Sequence, residues 1–211
     1  KEIAKTDYTF DEAGLPSSFK LSIDNVKTCA AAAGLNLNEG ATITVTYTAH
    51  LNDKATVNTE GGSNTTENKN RVYLEYSNNP RIDTSLDHTT TSEVYVYTYQ
   101  LNNTKYHDTA EKGNELKDVG FRLYSDADYK NEVELYQDGE FYYPIKNASN
   151  KQAVEMKSAE DGTFNVKGLD AGTYYLKETT TPADFTPCSV IPPVTITANH
   201  NGNHVELDSS K

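Results

Sequence analysis

Residues 168–179 read GLDAGTYYLKET. Gly168 and Gly172 bracket a tight turn, and the residues after it have the composition of a strand. Side chains alternate across a strand, so Tyr174, Leu176 and Glu178 share one face. Two core-seeking side chains therefore carry a carboxylate inward with them. A buried carboxylate is costly unless it is paired, or protonated and put to use. Glu178 is thus the first candidate functional residue.

Upstream, residues 94–105 predict a strand in which Tyr95, Tyr97, Tyr99, Leu101, Asn103 and Lys105 fall on one face. A lysine ending an aromatic inward row mirrors the anomaly at Glu178. Short strands are predicted at 119–124, 132–136, 140–143, 163–166, 173–178 and 194–197. Turn signals separate them at Gly113-Asn114, Asp138-Gly139, Asp161-Gly162, Ala171-Gly172 and Asn201-Gly202. Short strands at such spacing imply an all-β sandwich or barrel-like sheet pair. Nearer the N-terminus, residues 19–23, 41–49 and 71–76 alternate as strands, and the alanine-rich residues 26–35 predict a short helical turn. Residues 60–70 form a polar Gly/Asn loop, and the polar, aperiodic residues 81–91 read as a linker. Two domains follow, 1–88 and 92–211.

Composition narrows the function classes. The 211 residues carry a net charge of -12, which repels phosphate and argues against nucleic-acid binding. Hydrophobic residues make up 36%, yet 15 tyrosines and many threonines supply strand formers with polar ends, as in extracellular all-β proteins. No run of about 18 apolar residues occurs, so no membrane insertion is expected, and no signal peptide is visible. The five histidines and the Asp126–Asp128 stretch lack metal-ligand spacing and read as loop residues, so no metal and no cofactor is expected. Catalytic signatures of hydrolases, zinc proteases and P-loops are missing as well. Cys29 and Cys188 are too far apart in sequence for a redox or zinc motif; a disulfide between them and two free thiols are both open.

Taken together, Lys105 and Glu178 define a chemistry. Burial lowers a lysine's pKa and raises a glutamate's, because each loses hydration of its charged form. A neutral amine is a nucleophile. A protonated carboxyl can polarise the carbonyl of a third side chain. If that third group is Asn or Asp, the product is an amide cross-link. By periodicity alone, a plain buried salt bridge or solvated side chains at strand ends are the commoner outcome.

Residues 168–185, GLDAGTYYLKETTTPADF, closely resemble the E-box of Cna B-type domains in sortase-assembled pilins of Gram-positive bacteria, with Tyr174, Leu176, Glu178, Thr179 and Pro182 at the motif positions. Asp184-Phe185 stands where family members often have Gly-Tyr. Residues 93–108, 116–123 and 161–169 resemble the family's preceding strands, so the likeness covers about 93–211. Residues 68–80, NKNRVYLEYSNNP, resemble the closing strand of a Cna A-type domain. The resemblance implies two tandem Ig-like β-sandwich domains. The A-type module, 1–88, is incomplete at its N-terminus, and the B-type module, 92–211, lacks its last strand.

The resemblance further implies an isopeptide bond with Lys105 as amine and Glu178 as promoting acid. Its acceptor would be an Asn of a last strand, for which Asn199, Asn201, Asn203 and Asp208 are weak candidates. In the first domain Asn70 is the candidate acceptor, and Lys1, Lys5 and Lys20 fit the family's lysine pattern poorly. The expected function is structural and non-enzymatic: a segment of a cell-wall-anchored, extracellular pilus shaft. Its partners would be neighbouring pilin subunits joined by sortase, with an unidentified host or matrix ligand. The sorting signal and the pilin lysine motif are absent, so the chain reads as an internal segment. A minor pilin or collagen-binding-type adhesin stalk is the alternative within the class. Outside it stands a β-sandwich carbohydrate-binding module or enzyme accessory domain.

Overall fold

The computed structural model describes residues 2–15, 18–38, 41–49, 51–52, 54–57, 68–79, 81–82, 84–148, 150–201 and 204–208. Its contacts divide the chain into Lys1–Thr48 and Ala49–Lys211.

In the first unit, β1 (Thr9–Asp11) pairs antiparallel with β2 (Lys20–Ser22). Helix α1 (Val26–Ala32) begins at Asn25, whose side chain accepts from the Thr28 N–H at 3.0 Å, an N-cap that satisfies one otherwise orphaned donor. Its Cys29 and Ala30 are buried. Residues 41–49 take no regular secondary structure, and Ile43, Val45 and Tyr47 are about half exposed (47–51%). Their alternation specifies a face, whereas a ladder also requires a neighbouring edge.

The second unit contains β3 (Asn68–Val72), β4 (Glu75–Ser77), β5 (Leu86–His88), β6 (Ser92–Val96), β7 (Tyr99–Leu101), β8 (Gly120–Tyr124), β9 (Leu135–Asp138), β10 (Phe141–Pro144), β11 (Met156–Lys157), β12 (Asn165–Leu169), β13 (Gly172–Thr180), β14 (Val194–Asn201) and β15 (His204–Asp208). A four-stranded sheet runs β7-β12-β10-β9 and a five-stranded sheet β11-β8-β13-β14-β15. Among the described residues, only β10 and β12 pair parallel in these sheets. One core joins the two sheets: Leu101, Val119, Phe121, Leu123, Leu135, Tyr142, Met156, Phe164, Val166, Leu169, Tyr174 and Leu176 are all buried within it. Phe121 and Phe164 stack with ring centroids 4.2 Å apart. This is the expected all-β sandwich.

Three sequence expectations meet a different arrangement. The continuous strand over 94–105 is split into β6 and β7 because the chain changes partner there, from β3 to β12. The stretch read as a linker lies within paired structure: β4 pairs with β5, and β3 with β6. A polar aperiodic sequence describes a hairpin connection as well as a linker, and the contact division falls after Thr48, ahead of the expected one at 88–92. Finally, a strand follows β14. β15 lies at the sheet edge beside β14, in antiparallel register from Thr197↔Asp208 to Asn201↔His204.

Candidate functional site

Beyond β7 the inward row continues through Asn103, which is 9% exposed. Its amide nitrogen donates to the Phe164 carbonyl at 3.0 Å, and its backbone N–H donates to the Asn165 side-chain oxygen at 2.8 Å. Lys105 comes next on the same face. Its N–H donates to the Gly162 carbonyl at 2.8 Å, and its own carbonyl accepts from the Leu116 N–H at 2.9 Å. The Asp161-Gly162 turn approaches this backbone so closely that a Cβ on Gly162 would lie 2.5 Å from the Lys105 carbonyl oxygen. Gly162 also has φ +75°, where a side chain is strained.

From the opposite sheet, β13 delivers Glu178 as its sequence implies. Tyr174 and Leu176 are buried on the core face, and Glu178 stands opposite Phe121 of β8 in the pairing register. Lys105 Nζ donates to Glu178 Oε2 at 3.1 Å, with the two side chains 17% and 1% exposed. Glu178 Oε1 accepts from Thr181 Oγ1 at 2.6 Å, and Oε2 also accepts from the Cys188 N–H at 3.3 Å. His107, two residues beyond Lys105, packs its ring against Phe185 at 5.6 Å. The segment after β13 thus folds back over the pair.

The protonation state of Glu178 differs from the expected one. Burial pushes its carboxyl upward, but the hydrogen bonds from Thr181 and Lys105, the Cys188 N–H and the lysine's charge outweigh burial. The carboxyl is held below its ordinary value. At rest Glu178 is therefore a carboxylate that accepts from Lys105 Nζ. A proton passing from Nζ to Oε2 along the existing hydrogen bond leaves two neutral groups, a change that dry surroundings favour. It sets free the nucleophilic form of the amine.

The proposed acceptors are not gathered at this pair. β14 runs antiparallel to β13 with Tyr174↔Val194 and Gly172↔Ile196, so Asn199 and Asn201 continue past the Gly172 end, away from Glu178. Asp208 stands level with Thr197 in the backbone register. Asn203 and Lys1 lie outside the described residues. Asn70 is exposed in the middle of β3, opposite Val94. Lys5 and Lys20 are exposed in the first unit. Cys29 and Cys188 are both free thiols, Cys29 buried in the first unit and Cys188 exposed in the second.

Sequence reasoning missed Thr181 and Glu155. Glu155 Oε1 accepts from Thr179 Oγ1 at 2.5 Å and from Thr180 Oγ1 at 3.0 Å. Three consecutive threonines after Glu178 were the available signal. The Asp126 carboxylate accepts backbone N–H groups of Lys130 and Asn131, closing a turn as expected. Among the described residues no group of acidic, His and Cys side chains is placed to hold a metal, and no helix is long and apolar enough to cross a membrane.

Comparison with known proteins places this geometry in a family. No curated protein matches the chain. Among solved structures, the 35 kDa C-terminal fragment of the major pilin GBS80 of Streptococcus agalactiae aligns with a TM-score of 0.58 at 21% identity, over 91% of this chain and 69% of that one. That likeness concerns the fold. The group B streptococcus pilus 2b backbone protein aligns at 20% identity and TM-score 0.38, over 53% of this chain, and BcpA, the major pilin subunit of Bacillus cereus, at 20% and 0.38, over 70%. The chain spans 39% of the length of each of these two. The prealbumin-like fold domain of the SpaA family matches residues 99–211. The chain, over that sandwich, belongs to the SpaA prealbumin-like fold domain family.

Proposed function

We propose that this chain is a load-bearing segment of an extracellular, cell-wall-anchored pilus shaft, joined to neighbouring pilin subunits by sortase. Its sandwich would be strengthened by a self-formed isopeptide bond at Lys105. The observation that carries the reading is the dry ion pair of Lys105 and Glu178, which bridges the two sheets of a SpaA-family domain. The similar fold of the C-terminal fragment of the major pilin GBS80 supports it.

In the reaction, the neutral Lys105 Nζ attacks the side-chain carbonyl carbon of an Asn. The new C–N bond forms, Nζ gives up one proton to the Glu178 carboxyl as the proton already held there passes to the amide nitrogen, the old C–N bond breaks, and ammonia leaves. The pair supplies amine and acid; the acceptor enters on a strand reaching the Glu178 end of β13. Pulling shears terminal strands apart, and a covalent tie takes the load in place of hydrogen bonds. It also restricts the unfolded chain, an effect worth about 2–4 kcal/mol for comparable loops.

Intact-mass measurement tests the reading on protein recovered from the cell surface. Each Lys–Asn bond removes one ammonia, about 17 Da, and fragmentation should place the branch at Lys105. A Lys105 peptide that carries an unmodified amine throughout the surface-recovered protein overturns the proposal.

A further inference from the structure

The alternation of β13 breaks immediately after Glu178. Tyr175, Leu176, Lys177 and Glu178 stand opposite Tyr124, Leu123, Arg122 and Phe121 in unbroken register; then Thr180, not Thr179, stands opposite Gly120. Thr179 is the extra residue of a β-bulge. In a regular strand, residues i and i+3 face opposite ways. Thr181 nevertheless donates to Glu178 Oε1 at 2.6 Å. The bulge supplies the missing half-period and turns Thr181 to the side of Glu178.

The bulge is itself held. Glu155, in the residues leading into β11, accepts the hydroxyls of both Thr179 and Thr180 on one oxygen. Gly120 makes room for this clamp: a Cβ there would lie 2.6 Å from Glu155 Cδ and 2.8 Å from Thr180 Cβ. Arg122, the nearest cationic group on β8, adds its field to Glu155 and pairs with Glu132.

We propose that Glu155 and Thr181 are positioning residues for the Lys105–Glu178 chemistry. Glu155 locks the bulge that turns Thr181 inward, and Thr181 fixes the Glu178 carboxyl so that Oε2 is the oxygen offered to Lys105. The proposal rests on the reading of that pair given above. With Oε1 engaged by a hydroxyl donor, the proton exchanged with Lys105 has one destination, Oε2. Among the described residues, Lys105 from beyond β7, Thr181, the Cys188 N–H and the apolar Phe121 from β8 stand against the carboxyl. Thr181 reaches the pair through its hydrogen bond to Glu178, and Glu155 through the two threonines of the bulge.

The test follows the titration of the Glu178 carboxyl by carbon-detected NMR in the full chain, alongside intact mass. T181V should raise the Glu178 midpoint, because a donor to the carboxylate is lost, and T181S should restore it. E155A should raise the same midpoint. E155Q should restore it, because its amide oxygen can accept the same two hydroxyls. The T181V/E155A double variant should shift no further than T181V alone. An unchanged midpoint in E155A or T181V, or additive shifts in the double variant, overturns the proposal. The titration is read on folded protein, so a shift of the Glu178 midpoint reports positioning and not loss of the fold. The expected midpoints with no ammonia lost at Lys105 support the positioning network and overturn the cross-link reading instead.

Discussion

Lys105 Nζ and Glu178 Oε2 lie 3.1 Å apart although 73 residues separate them in sequence. The contact ties the chain just beyond β7, an edge strand of one sheet, to β13, the central strand of the other. Its two ends are unequally dry, at 17% and 1% exposure, and this asymmetry sets which deletion costs more.

Removing Lys105 leaves the drier charge unpaired, whereas removing Glu178 leaves an ammonium that reaches water. In protein without the cross-link, K105A should therefore cost about 3 kcal/mol or more, and E178Q clearly less. Urea unfolding of the two variants measures the order. A larger loss for E178Q than for K105A would contradict the described burial.

The depressed pKa of Glu178 makes the domain acid-sensitive in a defined direction. Its folded pKa lies below the unfolded one, near pH 4. The folded state therefore binds fewer protons over that interval, and stability is full above it and lost as pH falls. Between pH 6 and pH 3 the urea midpoint should fall more in the wild type than in E178Q. Equal falls would show that the carboxyl is not held by its donors.

Tyr174 sets the opposite limit. Burial, reinforced by the nearby Asp170 charge, pushes its phenol up to about 12, and its hydroxyl donates to the Asp170 carbonyl at 2.9 Å. A raised folded pKa gives stability that is full below the unfolded value, about 10, and lost as pH rises toward 12. Thermal melts from pH 9 to 12 should show a steeper fall for the wild type than for Y174F, which loses about 1 kcal/mol at neutral pH with its hydrogen bond. Parallel curves would remove Tyr174 from the account.

Gly162 holds the turn against the lysine strand. G162A meets a left-handed backbone, φ +75°, and a carbonyl oxygen 2.5 Å from the new Cβ. It should cost about 1–3 kcal/mol and displace Lys105. Loss of stability by chemical denaturation, with slower amide formation at Lys105, is the expected result; a neutral substitution would refute the close approach.

The two thiols should differ in reactivity. Cys188 is exposed and Cys29 is 6% exposed in α1. Native protein treated with a maleimide should gain one adduct, and C188S none, until denaturant exposes the second site. Two rapid adducts in the native protein would contradict the burial of Cys29.

Much of the sandwich was legible because strand periodicity is a local property. The row ending in Glu178 kept its alternation in the fold, with Tyr174 and Leu176 buried, whereas the row ending in Lys105 is interrupted between β6 and β7, where Thr98 is buried beside Tyr99. Where the spacing had to name a partner, it was silent. Residues 41–49 alternate as cleanly as β13 and take no regular structure. Residues 81–91 lie among paired strands while reading as a linker.

From its residues alone, this chain determined short strands of a sandwich or barrel-like sheet pair, with Lys105 and Glu178 each in line with an apolar row, because alternation and turn chemistry are encoded within a few residues. Only the tertiary structure decided that the two side chains meet, that Glu178 rests as a carboxylate rather than an acid, and that Asn199 and Asn201 continue away from it. Those outcomes depend on pairing register and on donors such as Thr181 and the Cys188 N–H. A bulge of one residue reverses such relations, and strand spacing carries no sign of it.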